Sequence, residues 1–101
     1  MTNKIDLMNN DNSQQLSLTE RKQEALIGVI IIAYTRNAFE LSKTELDYTA
    51  KEMFNYWQNK NFNSVINGIE KGSMGAYGVP FKMSVSVLGS WIYKYINESA
   101  L

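Results

Sequence analysis

The stretch KGSMGAYGVPFK, residues 71–82, is where residue types and spacing most invite chemistry. Gly72, Gly75 and Gly78 recur at every third position, and Lys71 and Lys82 flank them. Open glycine amides beside lysines are the raw material of a phosphate cradle. A Walker-type loop, however, has four residues between its glycines, then Lys and Ser or Thr, on a strand-to-helix turn. Here each gap is two residues, Gly78 runs into Val79-Pro80, and no strand precedes. The dinucleotide-binding fingerprint fails on the same missing strand. GSMG matches the gap of the GxxG clamp in KH domains, but that domain needs a three-stranded sheet, which this chain lacks. The stretch therefore reads as a corner between two helices, with Gly72 as the left-handed C-terminal residue of the first. The same corner offers a contact surface to a partner, with Tyr77 and Phe81 as its tips and Lys71 and Lys82 at its flanks.

The rest of the chain is poor in reactive groups. It has no histidine and no cysteine, which removes the usual general base near neutral pH, the thiolate nucleophile and the commonest transition-metal ligands. Glu20 and Glu24 share a helix face at i, i+4, and Glu45 and Glu52 do so only loosely. One helix offers too few convergent oxygens for a carboxylate metal site. No catalytic, cofactor-binding or metal-binding residue is assigned, and a non-enzymatic role is expected.

Ten basic residues balance ten acidic ones, so no global field draws the chain to nucleic acid or anionic lipid. Locally, however, Lys60, Lys71, Lys82 and Lys94 face Glu70 alone between residues 58 and 95. Phe62, Tyr77, Phe81, Trp91 and Tyr93 are interleaved with them, a mixture that single-stranded nucleic acid uses for stacking and phosphate contact. DNA or RNA binding through these four lysines is the alternative function. Lysines near helix C-termini also complement the helix dipole without any ligand.

The elements that position these residues follow from caps and periodicity. Residues 1–16 are polar and aperiodic, and read as a disordered tail, or one in which IDLM folds on a partner. Ser17 followed by Glu20 is a capping-box pattern, and opens a helix to about Arg36. Its second half, ALIGVIIIAY, is apolar on nearly every side, so it is either central to the fold or buried in a homodimer. At ten residues that run falls far short of the ~20 that span a bilayer. No membrane association is expected, and the cytoplasm is the expected location. Ser42 with Glu45 repeats the capping device for a second helix to about Asn59, with Leu46, Ala50, Met53, Phe54 and Trp57 on one stripe. Asn61 or Asn63 caps a third helix, about Ser64 to Lys71. Ser84 caps a fourth to about Asn97, burying Val85, Leu88, Ile92, Tyr95 and Ile96 and leaving Tyr93 outward with Ser86 and Ser90. Gly28, Gly68 and Gly89 fall inside helices, which predicts close helix approach at those points. The fold class is all-α, a single domain of about four helices over residues 17–101.

From about residue 42 to 95 the text resembles small helical proteins of phages and other mobile elements, replication accessory and helicase-loader-like proteins among them. The positions that carry the likeness are Trp57, Phe62, Ile66, Gly72, Gly75, Tyr77, Gly78, Trp91 and Tyr95. The resemblance implies an adaptor that docks on a larger protein or on DNA. The contact residues expected for a protein partner are Lys71, Tyr77, Phe81, Lys82 and Tyr93.

Overall fold

The computed structural model describes residues 17–99, and every regular element among them is a helix. In chain order these are α1 (Leu18–Arg36), α2 (Lys43–Trp57), α3 (Phe62–Ser73) and α4 (Val85–Ser99). The expected tail and its IDLM segment lie outside the described residues. Each helix starts where a short polar side chain meets orphan amides. Ser17 Oγ accepts from the Glu20 amide at 3.1 Å, and Glu20 Oε1 accepts from the Ser17 amide at 2.9 Å, closing the predicted box. The Ser17 amide bond holds the Glu20 carboxyl below its ordinary range. Asn61, not Asn63, caps α3, its Oδ1 accepting from the Ser64 amide at 3.1 Å. Ser84 Oγ accepts from the Val87 amide at 3.2 Å and starts α4. Ser42 accepts from the Glu45 amide at 3.1 Å. There the Glu45 carboxylate reaches instead to the Tyr34 hydroxyl, which donates to it at 3.3 Å. Burial first, then the charge of Glu45, pushes the Tyr34 phenol up.

α3 is the middle layer, packed most extensively on α4 and next on α1, while α2 lies against α1 and α4. Leu26 and Ile30 from α1, Met53 from α2, Ile69 from α3, and Leu88 and Ile92 from α4 are sealed from solvent. Full burial of such a side chain is worth roughly 1.5–3 kcal/mol. The α2 stripe reaches this core at Met53 and Trp57, with Leu46, Ala50 and Phe54 half-buried against it. The C-terminal ends of α1 and α3 are laced together. Arg36 Nη1 donates to Ser73 Oγ at 2.9 Å, and Asn37 Nδ2 donates to the carbonyls of Ala33 at 2.8 Å and Ser73 at 3.2 Å.

Several expectations change. α2 stops at Trp57, short of Asn59, where the Lys60 amide turns back to the Trp57 carbonyl at 3.0 Å. Gly72 does not end α3: the helix continues to Ser73, with Met74 as its cap. Gly72 is buried, and a Cβ on it would fall 2.1 Å from Trp91 Cδ2. The local rule that placed a left-handed residue there missed a ring arriving from α4. Within the corner, the left-handed positions are instead Gly75 at φ 90° and Gly78 at φ 98°. Gly68 does mark a close approach, since its Cβ would lie 2.8 Å from the Ile92 Cα. Gly28 does not, because a Cβ there would meet nothing within 4 Å.

Candidate interaction surface

Two of the predicted contact residues are occupied inside the molecule. Lys71 Nζ donates to Glu98 Oε1 at 2.8 Å, and the Tyr77 hydroxyl donates to the same oxygen at 3.0 Å. Lys71 also stands 5.9 Å from the centres of the Tyr77 and Tyr95 rings, and Lys94 stands 5.9 Å from Tyr77. The hydrogen bond from Lys71, then that from Tyr77, holds the Glu98 carboxyl below its ordinary range. The same carboxylate pushes Lys71 up. Burial first, then the bond to Glu98, pushes the Tyr77 phenol up. This cluster ties the glycine corner to the end of α4.

Four of the corner's amides are also committed. The amides of Met74, Gly75, Ala76 and Gly78 donate to the carbonyls of Glu70 and Lys71, Gly72, Lys71 and Gly75 in turn, at 3.0 to 3.4 Å. A phosphate cradle needs those donors open. The glycines serve a compact turn, which delivers the chain to a loop where Val79 is 84% and Phe81 98% exposed. Lys82 is exposed in the same loop.

The outer face of α4 borders two hollows. One, of about 480 Å³, lies between α4 and the end of α2, with Tyr56 and Tyr93 on its lips and Trp57, Val85 and Gly89 beneath. Tyr56 is 75% and Tyr93 62% exposed, whereas Trp57 is 9% exposed. Tyr56 meets Trp57 edge-on, with ring centres 5.1 Å apart and planes at 78°. The other, of about 270 Å³, lies between α4 and the loop and is lined by Tyr77, Val79, Pro80, Trp91 and Lys94. Ser86 and Ser90 border both. The exposed Tyr93 expected from helical periodicity thus stands beside a groove.

Sequence reasoning passed over Tyr56 and the indole edge of Trp57, and read Gly89 only as a point of close helix approach. A signal for Tyr56 was present. It precedes a stripe residue, and neighbours on a helix point about 100° apart, so a buried Trp57 turns Tyr56 outward. Gly89 was marked as an in-helix glycine, but its neighbour could not be read from α4 alone, because Trp57 comes from α2, and a Cβ there would meet it only at an ordinary 3.8 Å.

The four lysines fall in different settings. Lys71 is paired with Glu98, and Lys94 lies over Tyr77. Lys60 lines a hollow of about 190 Å³ at the junction of α1, α2 and α3, where Lys22 stands 5.6 Å from the Phe62 ring centre. Among the described residues no three acidic side chains gather as a metal site would need, and no helix is long and apolar enough to cross a membrane. Neither a family model, nor a curated protein, nor a solved structure matches this chain.

Proposed function

We propose that this chain is a non-enzymatic protein–protein interaction module that docks on a larger partner through the outer face of α4 and the adjoining loop. The accessory proteins of phages and mobile elements, which it resembles, are the setting proposed for it, in the host cytoplasm. The observation that carries this reading is the grouping of Tyr56 and Tyr93 on one groove, with Val79 on the hollow across α4 and Phe81 close by in the same loop. Large apolar side chains left open together mark contact surfaces, and tyrosine is enriched among residues that dominate binding energy. Lys71 and Tyr77 hold the corner to the end of α4 through Glu98, and Lys82 is exposed in the adjoining loop.

The test is capture of the native partner from host lysate by the tagged chain and by a Tyr56→Ala, Phe81→Ala, Tyr93→Ala variant. All three side chains are exposed, so the variant keeps its melting midpoint. Its partner is lost, because truncating one anchor already weakens binding by ~30-fold. Undiminished capture by the folded variant overturns the reading.

A second contact is favoured on α1. Ile31 is 42% and Ile32 43% exposed, and the nearby Gly28 has open space where its side chain would be. This face is proposed to pair two copies of the chain, and light scattering that returns a single-chain mass removes it. The nucleic-acid alternative keeps Lys60, Lys82 and Lys94, while Lys71 is already held by Glu98. Oligonucleotide binding that weakens steeply with salt would put that alternative in place of the present one.

A further inference from the structure

We propose that the hollow at the junction of α1, α2 and α3 is the seat of this chain's own segment Ile5-Asp6-Leu7-Met8, which folds back onto it. This goes beyond the interaction-module reading, which places the partner on α4. The hollow, of about 190 Å³, is lined by Leu26, Met53 and Val65, all buried in the core, and by the half-buried rings of Phe54 and Phe62. Pockets that enclose a small molecule begin at about 300 Å³, so this one suits two or three apolar side chains. Its charged lining is Lys22 and Lys60, with no carboxylate. A second hollow shares Lys22 and Phe62 with it and reaches Leu18 and Arg21, again with no carboxylate. Together they make a track that begins where the chain enters the fold. Among the described residues, neither the Arg21 nor the Lys60 side chain has a hydrogen bond or an ion pair.

The start of that track says what fills it. The segment is joined to the described chain at Ser17, one residue before Leu18 and two before Thr19, which lines the hollow. Met8 stands nine positions before Ser17, and Ile5 twelve. The hollow reaches from Thr19 to Leu26, ~10 Å along the axis of α1. Nine steps of chain span up to ~30 Å, so the segment doubles back with length to spare. Its chemistry matches the track in order as well as in kind. Between residues 5 and 16 the only charges are Asp6 and Asp11. Asp11, nearer the tether, meets Arg21 and Lys22. Asp6 meets Lys60, while Ile5, Leu7 and Met8 extend the core over Met53 and Val65. A short tether holds its end at ~millimolar effective concentration, so a free segment with the same side chains competes poorly for the seat.

The experiment compares methyl and amide spectra of the full chain with those of an Ile5→Ser, Leu7→Ser, Met8→Ser variant, whose changes lie outside the four helices. The Met53 and Val65 methyls should move, and the buried Trp91 indole should not. Trp57 borders this hollow and the α4 groove alike, so Met53 and Val65 decide. A peptide of residues 4–12 then titrates both proteins. It should bind the variant saturably at those methyls, and the parent at least about tenfold more weakly, because there the seat is filled. Lys60→Glu, at an exposed position, should move the parent's signals toward the variant's, and Asp6→Lys added to it should return them. Identical spectra of parent and variant overturn the proposal, as does equal affinity of the peptide for both. Shifts that fade on dilution would give the seat to the segment of a second copy, and overturn it too. Peptide shifts confined to Tyr93 and its groove would overturn it by moving the segment to the α4 face.

Discussion

Gly72 and Gly89 each sit beside a tryptophan on a helix, and they do opposite things. At Gly72 the Trp91 ring lies so close that a Cβ would stand 2.1 to 2.6 Å from three of its carbons. At Gly89 the nearest Trp57 atoms would be 3.8 Å and 3.9 Å away, an ordinary packing distance. The first glycine lets α3 and α4 close on each other and seals Trp91 into the core at 3% exposure. The second leaves a gap through which the edge of Trp57 is open. Glycine costs ~1 kcal/mol relative to alanine in a helix interior, as at Gly89, and less at Gly72 in the last turn of α3. At Gly72 the packing of the α3–α4 interface offsets that cost. At Gly89 nothing inside the molecule does, which is why that side of α4 is read as a surface for something else.

The largest test of this contrast is Gly72→Ala. The added methyl has no room, and the indole that it strikes is itself almost wholly buried. Overpacking a core in this way costs about 1–3 kcal/mol and occasionally more. The gain in helix propensity returns only part of that. We expect a net loss of roughly 2 kcal/mol in denaturant titrations. The loss should shrink in a Trp91→Leu background, because there the clashing ring is gone. An equal loss in both backgrounds would mean that Gly72 matters for some reason other than Trp91.

Gly72 also shows why part of this molecule was legible in its sequence and part was not. The all-α class and the helix starts rest on contacts three residues apart, Ser17 to Glu20 and Asn61 to Ser64 among them, and such spacing is visible in one dimension. The outward placement of Tyr93 follows from the periodicity of α4 alone. Gly72 was read by the same local logic and misplaced, since its neighbour Trp91 belongs to another helix. Lys71 and Tyr77 looked like free contact residues because Glu98, 27 positions beyond Lys71, is brought to them only by the fold. The groove floor was hidden for the same reason, as Trp57 and Gly89 share nothing in sequence that announces their meeting.

Gly89→Ala and Gly28→Ala sharpen the comparison from the other side. Both added methyls find room, so each variant should gain up to ~1 kcal/mol from helix propensity, read as a higher denaturation midpoint at unchanged slope. If either lost stability, its backbone would be under a constraint that the open space does not reveal. The pair also separates surfaces. Gly28→Ala leaves the Trp57 groove untouched, so any change that it causes in assembly belongs to α1.

The smallest expected effect concerns Glu98, on the half-exposed edge where the corner meets α4. Its carboxyl is held below the ordinary range by Lys71 and Tyr77, so the folded state favours the charged form. A carboxylate lowered by folding contributes stability above its unfolded pKa, and that contribution fades as pH falls through the lowered folded value. Lys71 is raised by the same bond, so its share is present below the ordinary lysine range and fades as pH rises through the raised one. Glu98→Gln should therefore lower stability slightly across neutral pH. The difference from the parent chain should close both in acid and in strong alkali. The amide oxygen of glutamine still accepts from Lys71 and Tyr77, and added salt screens what remains of the charge, so the neutral-pH difference should narrow further at high ionic strength. Denaturation midpoints of both proteins at neutral and acid pH, with and without salt, decide it. A deficit that persisted unchanged in acid would show that the shape of the Glu98 side chain, and not its charge, holds the corner to α4.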